Sequence, residues 1–79
     1  MSPAHTFEVN GVVIRVKRMA AGIEMKDLAA RAGISQRYLS HLETGTRKHM
    51  RPTRYVALRE ALHATDDELL LHKENDRKG

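Results

Sequence analysis

The organisation of this chain is set by one segment, Ala32-Gly33-Ile34-Ser35-Gln36-Arg37-Tyr38-Leu39-Ser40-His41-Leu42-Glu43-Thr44-Gly45. Ser35 is of a type that caps helix N-termini and Gly45 of a type that ends helices, so a helix is predicted between them. Leu39 and Leu42 share one face, because residues three apart are helical neighbours, and this face is predicted to be buried. The opposite face, here called the polar stripe, consists of Gln36, Arg37, Ser40, His41 and Thr44.

Glu43 is the one acidic residue of this segment. It follows Leu39 by four residues and therefore lies beside the buried face, where an unpaired carboxylate would be costly. A cation from elsewhere in the fold is expected to pair with it. The polar stripe itself carries no carboxylate, so it suits an anionic partner with hydrogen-bonding groups.

A second helix and a tight turn are predicted immediately before this segment. The helix covers about residues 25–31, and its inward face is predicted to hold Met25, Leu28 and Ala29. Gly33 can adopt the positive φ of a tight turn, and Ile34 is expected to fill the corner. Helix, turn and helix follow closely here, which is the spacing of a helix-turn-helix motif over about residues 24–44.

The residues at the start of the chain allow two interpretations. Asn10-Gly11 is a hairpin signal. A helix is favoured instead by apolar residues at helical spacing, namely Val13, Val16 and Ala20. We expect a helix over about residues 11–21, preceded by a flexible or extended arm at residues 1–9 in which Phe7 and Val9 pack as a short lead-in. Whether residues 7–14 contain a strand or only the helix start remains open in the sequence.

A basic linker and two further helices are predicted after the motif. The linker, residues 46–52, contains no acid. Pro52 suits the first turn of a fourth helix that runs to about His63. The inward residues of this helix are predicted to be Tyr55 or Val56, Leu58 and Leu62. Its arginines and the one before it are predicted to stay in solvent: Arg51, Arg54 and Arg59. Thr65 and Glu68 form a capping box that opens a short fifth helix.

Three consecutive leucines, residues 69–71, end that fifth helix. They cannot all face one small core, so at least one is expected to point outward, towards another copy or another protein. Residues 73–79 are predicted to be a charged, disordered tail, which leaves residues 10–72 as the folded domain.

Length and composition exclude several classes of protein. A chain of 79 residues makes one small domain with little room for a deep catalytic cleft. The absence of cysteine excludes disulfides and thiolate metal sites. No apolar run has the length of a membrane span, and the first residues lack the pattern of a signal peptide. A cytoplasmic location without a membrane partner is therefore expected.

Basic charge is concentrated in the middle of the chain. The formal net charge is +4. Residues 15–59 hold eleven Lys and Arg against three acids, a net +8, whereas residues 60–79 hold three bases against six acids, a net −3. Basic charge around a polar helix indicates a nucleic-acid partner, although a solvated basic face explains the charge alone equally well.

The titratable residues do not form a catalytic or metal-binding pattern. The histidines have no recognisable zinc spacing: His5, His41, His49, His63 and His72. The sequence has neither a glycine loop for phosphates nor a serine in a nucleophile elbow. We therefore expect no catalysis, no metal, no cofactor and no small-molecule ligand.

From Ile14 to Leu71 the chain resembles the XRE-like helix-turn-helix family of phage repressors and Cro-type regulators. The resemblance rests on Arg18 with Ala21-Gly22-Ile23, Asp27-Leu28-Ala29, Ala32-Gly33-Ile34-Ser35, Tyr38-Leu39-Ser40, Glu43-Thr44-Gly45, Ala61-Leu62 and Asp67-Glu68-Leu69-Leu70. It implies an all-α fold, a compact five-helix bundle of the lambda-repressor-like type, in which the second helix of the motif enters the DNA major groove.

The resemblance also implies roles for individual residues. Base contacts are implied for Gln36, Arg37 and His41, and contacts with the DNA backbone for Ser35, Tyr38, Ser40 and Thr44. Backbone contacts are also expected from the basic linker: Arg47, Lys48 and Arg51. Arg18 and Glu43 match an inter-helix ion pair in similar proteins.

Two other interpretations stand beside this one. The polar stripe could be a solvated helix surface, and Tyr38 could belong only to the flank of the core. The fold could also serve as a protein-interaction module, such as an antitoxin or anti-repressor. Our interpretation is a sequence-specific, double-stranded DNA-binding transcriptional regulator, a repressor that occupies an operator as a homodimer.

Overall fold

The computed structural model describes residues 6–71, which form five helices and a two-stranded sheet. The helices are α1 (Gly11–Ala20), α2 (Met25–Ala32), α3 (Gln36–Thr44), α4 (Pro52–Ala61) and α5 (Asp66–Leu69). The strands are β1 (Phe7–Glu8) and β2 (His49–Met50). The predicted five-helix architecture is thus confirmed. The first five residues of the predicted arm and the predicted tail at residues 73–79 lie outside the described residues.

Local side-chain hydrogen bonds mark where α1, α3 and α5 begin. The Asn10 side chain accepts from the backbone N–H of Val12 at 3.1 Å and so caps α1. Ser35 Oγ accepts from the Tyr38 N–H at 3.0 Å and caps α3. The capping box predicted at the start of α5 is present, with each partner's side chain bonded to the other's backbone. The ends of α2 and α3 are glycines in the left-handed conformation, Gly33 and Gly45.

The core lies between α1, α2, α3 and α4. Packing of α2 against α4, of α1 against α3 and of α5 against α1 brings together residues from every helix. The buried apolar residues are Val9, Ile14, Leu28, Ala29, Ala32, Leu39, Leu42, Met50, Tyr55, Leu58, Leu62 and Leu69. Both leucines predicted to form the buried face of α3, Leu39 and Leu42, are among them. Of the two alternatives in α4, Tyr55 is the core residue, and Val56 is partly exposed.

The core residue of α1 is not in the apolar row that indicated the helix. Ile14 is fully buried, whereas two members of that row are exposed, Val16 at 56% and Ala20. The helix is rotated because Ile14 fills the core and Arg18, one turn later, reaches a buried acid. An apolar row, here called the α1 stripe, is consequently left on the outer face: Val12, Val16 and Met19.

The N-terminal lead-in is a strand that pairs with the linker after α3. Phe7 lies opposite Met50 and Glu8 opposite His49 in an antiparallel ladder. On its other side, β1 is joined to the C-terminal segment, since the Leu71 N–H donates to the Glu8 carbonyl at 2.9 Å. The alternative left open for residues 7–14 is thereby resolved: residues 7–8 are strand, and helix α1 begins at residue 11. The Asn-Gly hairpin does not form.

Helices α4 and α5 are connected by side chains around Asp66. The Tyr55 hydroxyl and the Arg59 guanidinium both donate to the Asp66 carboxylate, and Arg59 Nη1 lies 2.9 Å from it. The pKa of Asp66 is lowered, mainly by the hydrogen bond from Tyr55 and to a smaller extent by the one from Arg59. The pKa of Tyr55 is raised, mainly by burial and to a smaller extent by its bond to Asp66. The prediction that Arg59 stays in solvent is therefore wrong, because this acid holds it half-buried.

Candidate nucleic-acid interface

Helix α3 presents the polar stripe on the side away from the core. Gln36, Arg37 and Thr44 are exposed, and Ser40 and His41 are half-buried beside them. The stripe follows from the sequence period, because Leu39 and Leu42 are completely buried on the opposite face. The five side chains predicted for this stripe therefore form one continuous surface, which offers amide, guanidinium, hydroxyl and imidazole groups.

A buried ion pair holds α3 against α1 from behind. Arg18 Nε donates to Glu43 Oε2 at 2.6 Å, and Arg18 Nη2 donates to Glu43 Oε1 at 3.1 Å. The third arm of the guanidinium, Nη1, donates to the Ile23 carbonyl at 3.0 Å. The Glu43 side chain is only 2% exposed and that of Arg18 13%. The hydrogen bond to Glu43 is the main reason that the pKa of Arg18 is raised.

The first half of α3 and the linker after it enclose a shared depression. Its lining residues are Ser35, Arg37, Tyr38, His41 and Arg47. Two residues predicted to read bases are thus brought together with three predicted to contact the backbone. The other predicted contact residues do not line this depression, although each is partly or fully exposed: Gln36, Ser40, Thr44, Lys48 and Arg51.

The segment between α3 and α4, residues 45–51 and here called the basic loop, carries exposed cations that form no ion pair within residues 6–71. Arg47, Lys48 and Arg51 are all exposed. The ion pairs found within residues 6–71 involve other cations, namely Lys17, Arg18 and Arg59. Since Glu43 is paired with Arg18, the region formed by the polar stripe and this loop has a net positive charge that no described side chain neutralises.

The hydroxyl groups of the candidate site differ in whether their proton is already used in a hydrogen bond within the protein. The Tyr38 hydroxyl donates its single proton to the His49 carbonyl at 2.6 Å. Thr44 Oγ1 is bonded to the His41 carbonyl at 3.3 Å and to Thr46 Oγ1 at 3.1 Å. Ser35 Oγ accepts from the backbone in its capping bond and keeps its own proton for an outside acceptor. Hydroxyl groups predicted to have one shared role therefore have different capacities.

One cation near the site was missed by the sequence reasoning. Arg54 was predicted only to stay in solvent, and it is exposed, but its guanidinium reaches the turn between α2 and α3. A Cβ placed on Gly33 would lie 3.2 Å from Arg54 Nη1. No local pattern could have indicated this position, because Arg54 is on α4, far along the chain from that turn.

Residues 6–71 contain neither a metal-binding cluster nor a helix able to cross a membrane. No group of three or more His, Asp or Glu side chains is placed to hold a metal ion. None of the helices has the length and apolar character that crossing a membrane requires.

Comparisons with known proteins identify the type of domain. A model of the helix-turn-helix domain matches residues 11–71. The restriction-modification controller protein C.AhdI from Aeromonas hydrophila is 28% identical, with a TM-score of 0.66 over 73% of this chain and 86% of that one. The clp gene regulator ClgR from Corynebacterium glutamicum is 29% identical, with a TM-score of 0.64 over 70% of this chain and 57% of ClgR.

A third structure is similar in fold alone. The master regulator for biofilm formation SinR, a Bacillus subtilis protein solved in complex with DNA, is 22% identical, with a TM-score of 0.68 over 75% of this chain and 97% of that one. A search of curated protein sequences found no match.

Proposed function

Because this chain belongs to the helix-turn-helix domain family, we propose that it is a transcriptional regulator that binds double-stranded DNA and represses by occupying an operator. The observation that carries the proposal is the acid-free polar stripe of α3 beside the cationic basic loop. C.AhdI and ClgR are regulators by name, and SinR was solved in complex with DNA. The proposed role is binding in the cytoplasm, without catalysis, cofactor or small-molecule ligand.

In this proposal the N-terminal half of α3 reads bases in the major groove. A recognition helix of this kind places its first residues against base edges. Gln36 can form two hydrogen bonds with adenine, and Arg37 can do the same with guanine O6 and N7. His41, one turn after Arg37, is the third proposed reader. Both Gln36 and Arg37 are exposed, so both side chains are accessible to DNA.

The proposed backbone contacts surround these readers. Cationic contacts come from Arg47, Lys48 and Arg51, and hydroxyl contacts from Ser35, Ser40 and Thr44. Contacts of this kind position the protein on the duplex and carry no sequence information of their own. They are expected to produce the salt dependence of binding, since each neutralised phosphate releases counterions.

The base-reading and backbone roles are separated by comparing Arg37→Ala with Lys48→Ala. Arg37→Ala is expected to weaken operator binding by roughly 1–3 kcal/mol, to relax preference at one base pair, and to leave binding to random DNA nearly unchanged. Lys48→Ala is expected to weaken both duplexes about equally and to lower the salt slope by about one unit per bound site. Selection from random duplexes supplies the operator, and titrations at several salt concentrations measure both variants.

A specific result would contradict this division. If Arg37→Ala lost affinity for operator and scrambled duplexes in equal proportion, Arg37 would be a phosphate contact, and the reading role would pass to Gln36 and His41. If the wild-type protein enriched no sequence from the random pool, the proposal of sequence-specific regulation would be wrong.

We further propose that the protein occupies its operator as a homodimer that associates weakly in solution. One recognition helix reads too few base pairs to select an operator from a genome. The three leucines predicted to end α5 do not all belong to it: Leu69 is its last residue and is fully buried, whereas Leu71 lies two residues beyond the helix and is 38% exposed. Two half-sites about one helical turn apart are therefore expected in footprints. Protection of a single, unrepeated half-site by one chain would exclude the dimer.

A second candidate function is a protein-interaction module, and the α1 stripe is the observation that favours it. Val12, Val16 and Met19 remain exposed on the face of α1 opposite to Ile14. An exposed apolar row of this kind can support contact with another protein. The salt dependence of the binding affinity distinguishes the two functions. Binding through phosphate contacts weakens steeply as the salt concentration rises, whereas apolar association does not.

A further inference from the structure

Tyr38 connects the recognition helix to the basic loop. Its ring is half-buried on the flank of α3, and its hydroxyl donates to the backbone carbonyl of His49, eleven residues later, at 2.6 Å. A phenol has one proton to donate, so this bond leaves none for a phosphate oxygen. The hydroxyl thus acts on the backbone of the chain itself, at the C-terminal end of the basic loop.

Two further backbone bonds hold the same short stretch of loop. The Arg47 N–H donates to the His41 carbonyl of α3 at 3.0 Å, and the Lys48 carbonyl accepts from the Val9 N–H at 2.7 Å. Three successive residues, 47, 48 and 49, are therefore each attached to a different neighbour: the end of α3, the N-terminal segment and Tyr38. A loop attached in this way has few accessible conformations.

None of these three bonds involves the side chain of Arg47 or Lys48. Arg47 and Lys48 are exposed, and within residues 6–71 neither has an acidic partner. Ordering a loop at the moment of binding costs free energy, whereas a loop that is already ordered avoids that cost. We propose that Tyr38 is a positioning residue: through His49 it holds the basic loop so that Arg47 and Lys48 meet the DNA backbone. This inference rests on the proposed DNA binding.

The test compares Tyr38→Phe with the wild type on a random-sequence duplex, so no operator need be known. Phenylalanine keeps the ring and removes only the hydroxyl. Loss of one hydrogen bond that orders the loop is expected to weaken binding roughly threefold to tenfold. Tyr55→Phe is the matched control, because it also removes a bonded hydroxyl, the one that donates to Asp66 away from the basic loop. It is expected to lower thermal stability and to leave the affinity unchanged.

A double-mutant cycle with Lys48→Ala distinguishes positioning from direct contact. If Tyr38 acts through the loop, Tyr38→Phe should cost clearly less affinity in the Lys48→Ala background than in the wild type. The salt slope of Tyr38→Phe should also fall, because the displaced loop neutralises fewer phosphates. In hydrogen exchange, the Arg47 and Val9 amides should exchange faster in Tyr38→Phe and remain protected in Tyr55→Phe.

Three outcomes would overturn the positioning role, and the measurements distinguish them. Equal losses from Tyr38→Phe with and without Lys48 would make Tyr38 a direct phosphate contact. Unchanged affinity in Tyr38→Phe, with wild-type binding intact, would leave the proposed function standing and remove the positioning role. Failure of the wild-type protein to bind any duplex would overturn the proposed function and this inference with it.

Discussion

Arg18→Ala and Glu43→Ala should each lower the free energy of unfolding by about 2–4 kcal/mol. Each change leaves the other charge without its partner in a site that is almost closed to solvent. Arg18→Ala is expected to be the more costly of the two, because it strands a carboxylate whose side chain is only 2% exposed. After Glu43→Ala the arginine keeps its bond to the Ile23 carbonyl and is long enough to turn towards water. Chemical denaturation measures both effects.

The double mutant tests whether the two residues act as a pair. Arg18→Ala/Glu43→Ala should cost much less than the sum of the single changes, because it leaves neither charge alone. Lys17→Ala is a matched control from the same helix. It breaks an ion pair with Glu68 whose side chains are 28% and 43% exposed, and is expected to cost much less than either single change at the buried pair. Additive single effects would show that the pair is not the source of stability.

The helix-turn-helix motif could be predicted because its signals are local. Ser35 caps α3 through a bond to a backbone group three residues away, and Gly33 and Gly45 adopt the left-handed conformations that end α2 and α3. Leu39 and Leu42 define the buried face within one helix. Each signal acts over a few residues and is therefore visible in the sequence.

The orientation of α1 could not be predicted in the same way. Residues 12–16 are apolar except for Arg15, so periodicity alone cannot choose between the face of Val13 and Val16 and that of Ile14. The orientation of α1 is set by Glu43, because its buried carboxylate requires Arg18 as a partner. These two residues are 25 positions apart in the chain. The pairing of β1 with β2 is likewise a contact between distant segments, which no local pattern encodes.

The candidate site was predictable as a surface and less so as a set of contacts. The composition of the polar stripe follows directly from the helical period, and the cations of the basic loop follow from the sequence. The engagement of the Tyr38 hydroxyl with His49 could not be foreseen, because it depends on how the chain returns after α3. The position of Arg54 beside Gly33 depends in the same way on the packing of α4 against α2.

Gly11→Ala should destabilise the protein by about 3 kcal/mol or more, although alanine is ordinarily the better helix residue by about 1 kcal/mol. Gly11 is the first residue of α1, and a Cβ at this position would lie 1.9 Å from the Leu42 carbonyl oxygen and 3.0 Å from that of Glu43. Both obstacles are backbone atoms near the end of α3, so no side-chain rotation can remove the clash. Helix α1 would have to move away from α3, which would disturb the Arg18–Glu43 pair.

Gly22→Ala separates this steric effect from the conformational cost of replacing a glycine. Gly22 has a φ of +71°, but a Cβ there would meet nothing within 4 Å. Its replacement should therefore cost only about 1 kcal/mol, from the left-handed backbone. Urea denaturation of both variants gives the comparison, and a larger loss for Gly11→Ala is the expected order. A neutral or stabilising Gly11→Ala would mean that the start of α1 does not touch the end of α3. The close backbone packing of α3 against α1 described above would then be wrong.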